Sequence, residues 1–251
     1  MFFRGRGSLY GEGLMSGLRA RVASVVLVGM ALVVAEAHAE PPRDGDAPVR
    51  LVRQTVPYTV QAPTANWRDP LFQDACEEAA VFMAARWVEG KKSISIPEAL
   101  AEIRALAAYS RKHLGTSVDQ SAADTGRLLR GYYGYAAFSV HENVTLDRLR
   151  REVLRGNLVI TPMNGRRLGN PYYTPPGPPR HMLLLIGYDP RTREFITNDP
   201  GTRRGKGYRY QEDLLFRAIR DYRTGNRLPI AGEAKTIIVV RPPVASAAAV
   251  R

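Results

Sequence analysis

The hydrophobic pattern divides the chain into a helical first half and a strand-rich second half. Over 76–89, the helix formers Ala79, Ala80, Met83 and Ala84 run with the apolar Val81, Phe82 and Val88, and Gly90 supplies a stop. Pro97 suits the first turn of a second helix with the stripe Leu100, Ile103, Leu106 and Ala107, ending near His113-Leu114-Gly115. A third helix is predicted over 121–133. A fourth spans 146–154, capped by Thr145, buried along Leu146, Leu149, Val153 and Leu154, and closed by Gly156. The period then changes. Residues 158–163 form a short apolar strand, 164–180 a long loop with five prolines, and 181–188 an apolar strand with a histidine at its mouth. A turn over 189–193 leads into a strand over 194–198; 211–222 reads as helical and 235–241 as the last strand. Upstream, 51–61 is extended, with Pro57 marking an edge, and 61–70 is a loop. Helices followed by an antiparallel sheet, without an internal repeat, make an α+β fold.

The ends modify this picture. Arg19 and Arg21, the apolar run 22–35 and the small-x-small Ala37-His38-Ala39 read as an export signal over 1–39. That run is short of the roughly 20 residues a membrane span needs, and no later run is longer, so the mature chain is expected to lack a span. Residues 40–50 are a polar leader, 51–241 the folded domain and 242–251 a frayed tail. The chain is expected in the periplasm or outside the cell, and is expected to act as a monomer. The formal net charge is +12, and the signal removes four arginines and two glutamates, so the mature protein stays basic. This suits anionic cell envelope polymers as neighbours. The cations are scattered, with short clusters at Arg166-Arg167 and Arg203-Arg204, which argues against nucleic acid.

A single cysteine, Cys76, excludes an intramolecular disulfide and a multi-cysteine zinc site. It opens the 76–89 helix, where the helix dipole favours thiolate, and a thiolate is a nucleophile. The alternative is a buried structural thiol. Four histidines compete to be its base. His38 lies in the signal, His113 at a helix end that suits a cation, and His141 in a polar connection. His181 stands at the rim of the apolar strand, where a side chain is held rigidly. If Tyr188 pairs with Glu194 around a five-residue turn, Asp199 faces Leu183, diagonal to His181 and within reach of its ring. Asp199 could instead simply shape the Asp-Pro-Gly turn. A thiolate, an imidazole and an orienting carboxylate make a nucleophilic triad, which needs an oxyanion donor; Gln61 and Gln73 are both candidates. Tyr172, Tyr173 and Trp67 are candidate substrate-binding residues, with the proline-rich loop before His181 expected to line the cleft. No metal site and no cofactor are called for.

Four motifs carry a family resemblance: Val56-Pro57-Tyr58-Thr59-Val60-Gln61, Cys76-Glu77-Glu78-Ala79 with Met83, His181-Met182-Leu183-Leu184-Leu185-Ile186-Gly187-Tyr188-Asp189, and Ile196-Thr197-Asn198-Asp199-Pro200. In this order they resemble the bacteriocin-leader-peptidase-like cysteine peptidases, family thirty-nine of that class, within the papain-fold superfamily, over residues 51–240. The resemblance implies a papain-like α+β fold and a peptide or protein substrate. It further implies Cys76 as nucleophile, His181 as base, Asp199 as its orienting acid and Gln61 as oxyanion donor. The family's glycine after the cysteine is Glu77 here, and the Gln61–Cys76 spacing is longer than in the transporter-linked members, so Gln73 stays in play. The chain resembles the free-standing, exported branch. The expected activity is that of a secreted thiol peptidase; a peptidoglycan stem-peptide amidase or transpeptidase, and a silent binding module of the same fold, are the alternatives.

Overall fold

The computed structural model describes residues 50–225 and 234–243. The expected export signal, nearly all of the leader and most of the tail lie outside the described residues. The sheet is antiparallel throughout, in the order β2 (Phe138–His141), β7 (Ile237–Val240), β3 (Leu158–Met163), β4 (His181–Asp189), β5 (Glu194–Asn198), β6 (Lys206–Gln211). The two-residue β1 (Val52–Arg53) pairs with β4 at Tyr188 and Gly187. No helix among the described residues is long and apolar enough to cross a membrane.

β4 explains its own sequence. Every residue from His181 to Asp189 is buried, because both faces of the strand are covered, so the strand reads as an apolar run without alternation. Met182, Leu184 and Ile186 share a core with Val81, Phe82 and Met83 of α2 (Cys76–Val88) and with Leu128 and Leu129 of α4 (Ala122–Gly131). Leu183 and Leu185 share a second core with Leu149 and Val153 of α5 (Leu146–Leu154) and Leu215 of α6 (Glu212–Ala218). This makes three layers, with α2 buried from Cys76 to Ala85.

The helix signals are visible in the caps. α3 (Ile96–Leu114) opens on a capping box between Ser95 and Glu98 and closes on Gly115 in the left-handed region. Ser121 and Thr145 cap α4 and α5 through their side chains. Four elements differ from expectation. A short α1 (Pro70–Gln73), capped by Asp69, occupies the end of the expected loop. The expected extended 51–61 segment pairs only at β1. The edge strands β2 and β6 have no apolar run to announce them: β2 is half-buried throughout, and β6 is mostly exposed or half-buried.

The hairpin that carries the site also differs. Its turn is four residues, with Asp189 opposite Glu194 and Tyr188 opposite Phe195, one step from the expected register. A bulge between Leu185 and Gly187 removes that step, so Leu184 faces Asn198. Continued by one residue, the ladder brings Asp199 level with Leu183, the register first expected. The bulge sits where β1 approaches: a Cβ on Gly187 would lie 2.4 Å from the Val52 carbonyl oxygen.

Candidate active site

The start of α2 and the start of β4 contribute to one cleft of about 330 Å3, lined by Gln61, Trp67, Gln73, Cys76, His181 and the 173–178 loop. The proline-rich loop therefore lines the cleft. His181 is buried, and its Nε2 lies 2.8 Å from Asp199 Oδ1. Asp199 is held from several directions. Its Oδ1 also accepts from the Gly201 amide at 2.9 Å, and its Oδ2 accepts from Tyr173 at 2.6 Å, Tyr210 at 2.8 Å and Asn170 Nδ2 at 3.2 Å. Burial by itself would push this carboxyl up, but the charge and hydrogen bond of His181 and the two phenols outweigh it and hold Asp199 below its ordinary value. An ionised Asp199 accepts from His181 Nε2–H, so that in the neutral ring Nδ1 is the nitrogen carrying the lone pair. Gly201 allows this close packing: a Cβ there would lie 2.8 Å from His181 Cε1.

Cys76 is the first residue of α2 and is almost fully buried. Contrary to the expectation of a thiolate-favouring helix end, its thiol is pushed well above its ordinary value, first by burial, then by the charge and hydrogen bond of Glu77. The Sγ–H points at Glu77 Oε2, 3.2 Å away. Glu77 is itself wholly buried, and its Oε1 accepts from Tyr222 at 2.7 Å. Burial, opposed by the Tyr222 and Cys76 hydrogen bonds, pushes Glu77 up to about 7. The adjacent Glu78 is buried against Gln120 Nε2 at 2.7 Å and is also pushed up, by burial and then by Glu77.

The glutamines behave differently. Gln61 donates its amide hydrogens to the carbonyls of Phe72 and Gln73, both at 3.0 Å, and its backbone amide donates to Pro200 O at 2.9 Å. It thus ties the segment after β1 to the end of α1 and to the turn after Asp199. Gln73 Nε2 donates to Trp67 O at 2.8 Å, an exposed bond in the cleft wall.

Of the candidate substrate-binding residues, Trp67 and Tyr172 are exposed large side chains. Tyr173 is not available in the same way, because its ring stands edge-on to His181 at 5.4 Å and its hydroxyl serves Asp199. Asn170, Tyr210 and Tyr222 escape sequence reasoning. Asn170 lies in a loop, Tyr210 on the unannounced β6 and Tyr222 past the end of α6; each reaches the site only through tertiary contact. The remaining described histidines lie elsewhere: His113 stacks on Tyr109 at 4.1 Å, and His141 bonds Ser139 and Arg148.

A family model, described as the Peptidase_C39 like family, matches residues 53–224, a stretch that holds Cys76, His181 and Asp199. The chain belongs to this C39-like cysteine peptidase family. Among solved structures, it resembles a candidate C39-like peptidase from Bacillus anthracis, with 14% identity, a TM-score of 0.42, and coverage of 76% of this chain and 98% of that one. No curated protein sequence matches. The architecture of this C39-like chain is α+β, with the cysteine opening a helix packed on an antiparallel sheet.

Proposed function

We propose that this C39-like protein is an exported thiol peptidase that cleaves a peptide or isopeptide bond through an acyl-enzyme on Cys76. The observation that carries the reading is the His181–Asp199 hydrogen bond at the wall of the cleft that Cys76 also lines. The Cys76 proton passes to His181 Nδ1, which requires the thiol to turn away from Glu77. The thiolate then attacks the carbonyl carbon, and the oxyanion is met by the Cys76 backbone amide at the start of α2. A side-chain amide assists: Gln61 would have to release one of its two carbonyls, whereas Gln73 has donated only one hydrogen to a protein partner. The imidazolium protonates the leaving amine, giving a thioester. His181 next removes a proton from water, which attacks the thioester and releases the acid and the thiol.

Basic surface and export suit substrates in the cell envelope, including peptidoglycan stem peptides, for which the same chemistry is an amidase or transpeptidase. A second reading is favoured by one contact. With its Sγ–H donating to Glu77 and its ionisation opposed by burial and that carboxyl, Cys76 rests as a thiol, as it would in a silent binding module. The pH dependence of iodoacetamide alkylation at Cys76, in wild type and His181→Ala, tests the enzyme reading. Alkylation that persists below neutral pH and is lost in His181→Ala supports it. Alkylation that rises only above about pH 8 and ignores His181 supports the module.

A further inference from the structure

Beside the Cys76 cleft lies a second hollow of about 360 Å3, lined by Trp67, Tyr172, Thr174 and 201–204. The two share Trp67, Thr174 and Gly201, so they are adjoining parts of one groove. The far part differs in chemistry. Arg203 and Arg204 are both exposed, and among the described residues neither is in an ion pair. Some exposed or half-exposed arginines are paired, Arg209 with Asp189 and Glu194, Arg193 with Glu212 and Asp213, Arg127 with Asp124. Others, such as Arg166 and Arg167, are in no ion pair among the described residues, so what sets Arg203 and Arg204 apart is their place at the groove beside exposed rings. The Arg204 guanidinium lies 4.8 Å from the centre of the Tyr172 ring, which in turn stands edge-on to Tyr208. Tyr172 and Trp67 remain 43% and 38% exposed, large apolar surface left uncovered at a groove wall.

The loop that carries these arginines is rigid. The Tyr58 hydroxyl contacts the carbonyls of Thr202 and Asp199, Gly205 N donates to Thr202 O at 3.1 Å, and Asp199 N donates to Gly205 O at 3.0 Å. A Cβ on Gly205 would overlap the Asp199 carbonyl, at 1.9 Å, so only glycine closes the loop. The turn that presents Asp199 to His181 therefore also carries the backbone of the two arginines. A pair of exposed guanidiniums without an ion-pair partner, one of them over a half-exposed tyrosine ring, is suited to a carboxylate on a peptide, held by charge-assisted hydrogen bonds with its chain against Trp67 and Tyr172.

We propose that this hollow is a carboxylate-recognition subsite, which selects substrates carrying an acidic group a short distance from the bond presented to Cys76. The proposal rests on the peptidase reading for its role in cleavage, but not for binding. Its test uses three hexapeptide pools: one blocked at both ends with one position fixed as Glu, the same pool with Gln, and a neutral pool with a free terminal carboxylate. Cleavage rate and protection of Cys76 from iodoacetamide are both measured, in wild type and in the Arg203→Gln/Arg204→Gln protein. Wild type is expected to favour a carboxylate pool over the Gln pool by about tenfold or more, and the double variant to lose that preference. Preference for the Glu pool assigns the ligand as an acidic side chain, and preference for the free-ended pool assigns it as a chain terminus. Arg-dependent protection without cleavage of any pool leaves the subsite standing and removes the peptidase reading. Cleavage of all pools alike, a preference that survives in the double variant, or no protection and no cleavage by any pool overturns the subsite.

Discussion

Asp199 and Glu77 each hold one of the two candidate reacting side chains, His181 and Cys76, and neither carboxylate is exposed to solvent. Their charge states nevertheless diverge. Asp199 faces an imidazole, two phenols, an amide side chain and a backbone N–H, which together overcome burial and keep it ionised. Glu77 faces one phenol, a thiol, which is a weak donor, and its own backbone N–H, and burial wins. Burial raises both carboxyls; what separates them is the charge of His181 beside Asp199, together with the number of strong donors the fold delivers to each. The consequence for function is an imidazole held in one tautomer beside a thiol whose ionisation is opposed.

Removing the well-served carboxylate has the largest effect. Asp199→Ala is expected to lower turnover on the order of 10⁴-fold, by releasing the His181 tautomer. Because it strands the donors around it, it also lowers unfolding free energy by about 3–5 kcal/mol. Turnover on any peptide found by the pools, with urea denaturation alongside, measures both. Unchanged denaturation would mean that the donors around Asp199 contribute nothing.

Thinning the donors tests the same comparison more gently. Tyr173→Phe and Tyr210→Phe each remove one bond to Asp199 and are expected to cost about 1.5–3 kcal/mol apiece, with the double variant non-additive because the two phenols share one oxygen.

The pH dependence of stability should have opposite signs for the two groups. Glu77 rises from 4.5 to about 7 on folding, so the native state holds its proton across that window while the unfolded chain does not, and stability falls as pH increases. Asp199 is lowered, so its contribution is complete above its ordinary value of 3.8 and is lost as pH drops through its folded value. Glu77→Gln is expected to flatten the 4.5–7 slope by at most about 1.4 kcal/mol per pH unit, and to speed Cys76 alkylation at pH 7. Denaturant midpoints across pH check the first, and alkylation rates check the second. The buried Glu78, also pushed up, leaves a residual slope of the same sign, so only a slope wholly unchanged in Glu77→Gln would contradict the assignment to Glu77.

The smallest effect is expected from Tyr222→Phe. It removes the donor to Glu77 Oε1 while leaving an apolar ring, at a cost of about 0.5–1.5 kcal/mol when Glu77 is protonated, and it moves Glu77 further up. A Glu77-dependent pH window that does not move in this variant would contradict the donor account.

Much of the frame was legible in the chain. The apolar runs of β3, β4 and β5, the Thr145 cap and the Gly115 stop are local signals, written in periodicity and in residues that satisfy the backbone at an element's end. Cys76 at a helix start and His181 at a strand mouth follow from the same signals. The hairpin shows the limit: the turn is one residue shorter than expected, and the Asp199 level is recovered only by the bulge between Leu185 and Gly187.

What the sequence determined by itself is therefore the order and type of the buried elements, because backbone geometry and burial pattern act over a few residues. The tertiary structure alone decided which carboxylate is charged. Tyr173 and Tyr210 reach Asp199 from 26 and 11 residues away, and Tyr222 reaches Glu77 across 145. No local pattern encodes such contacts, since they exist only once the loops between them have closed.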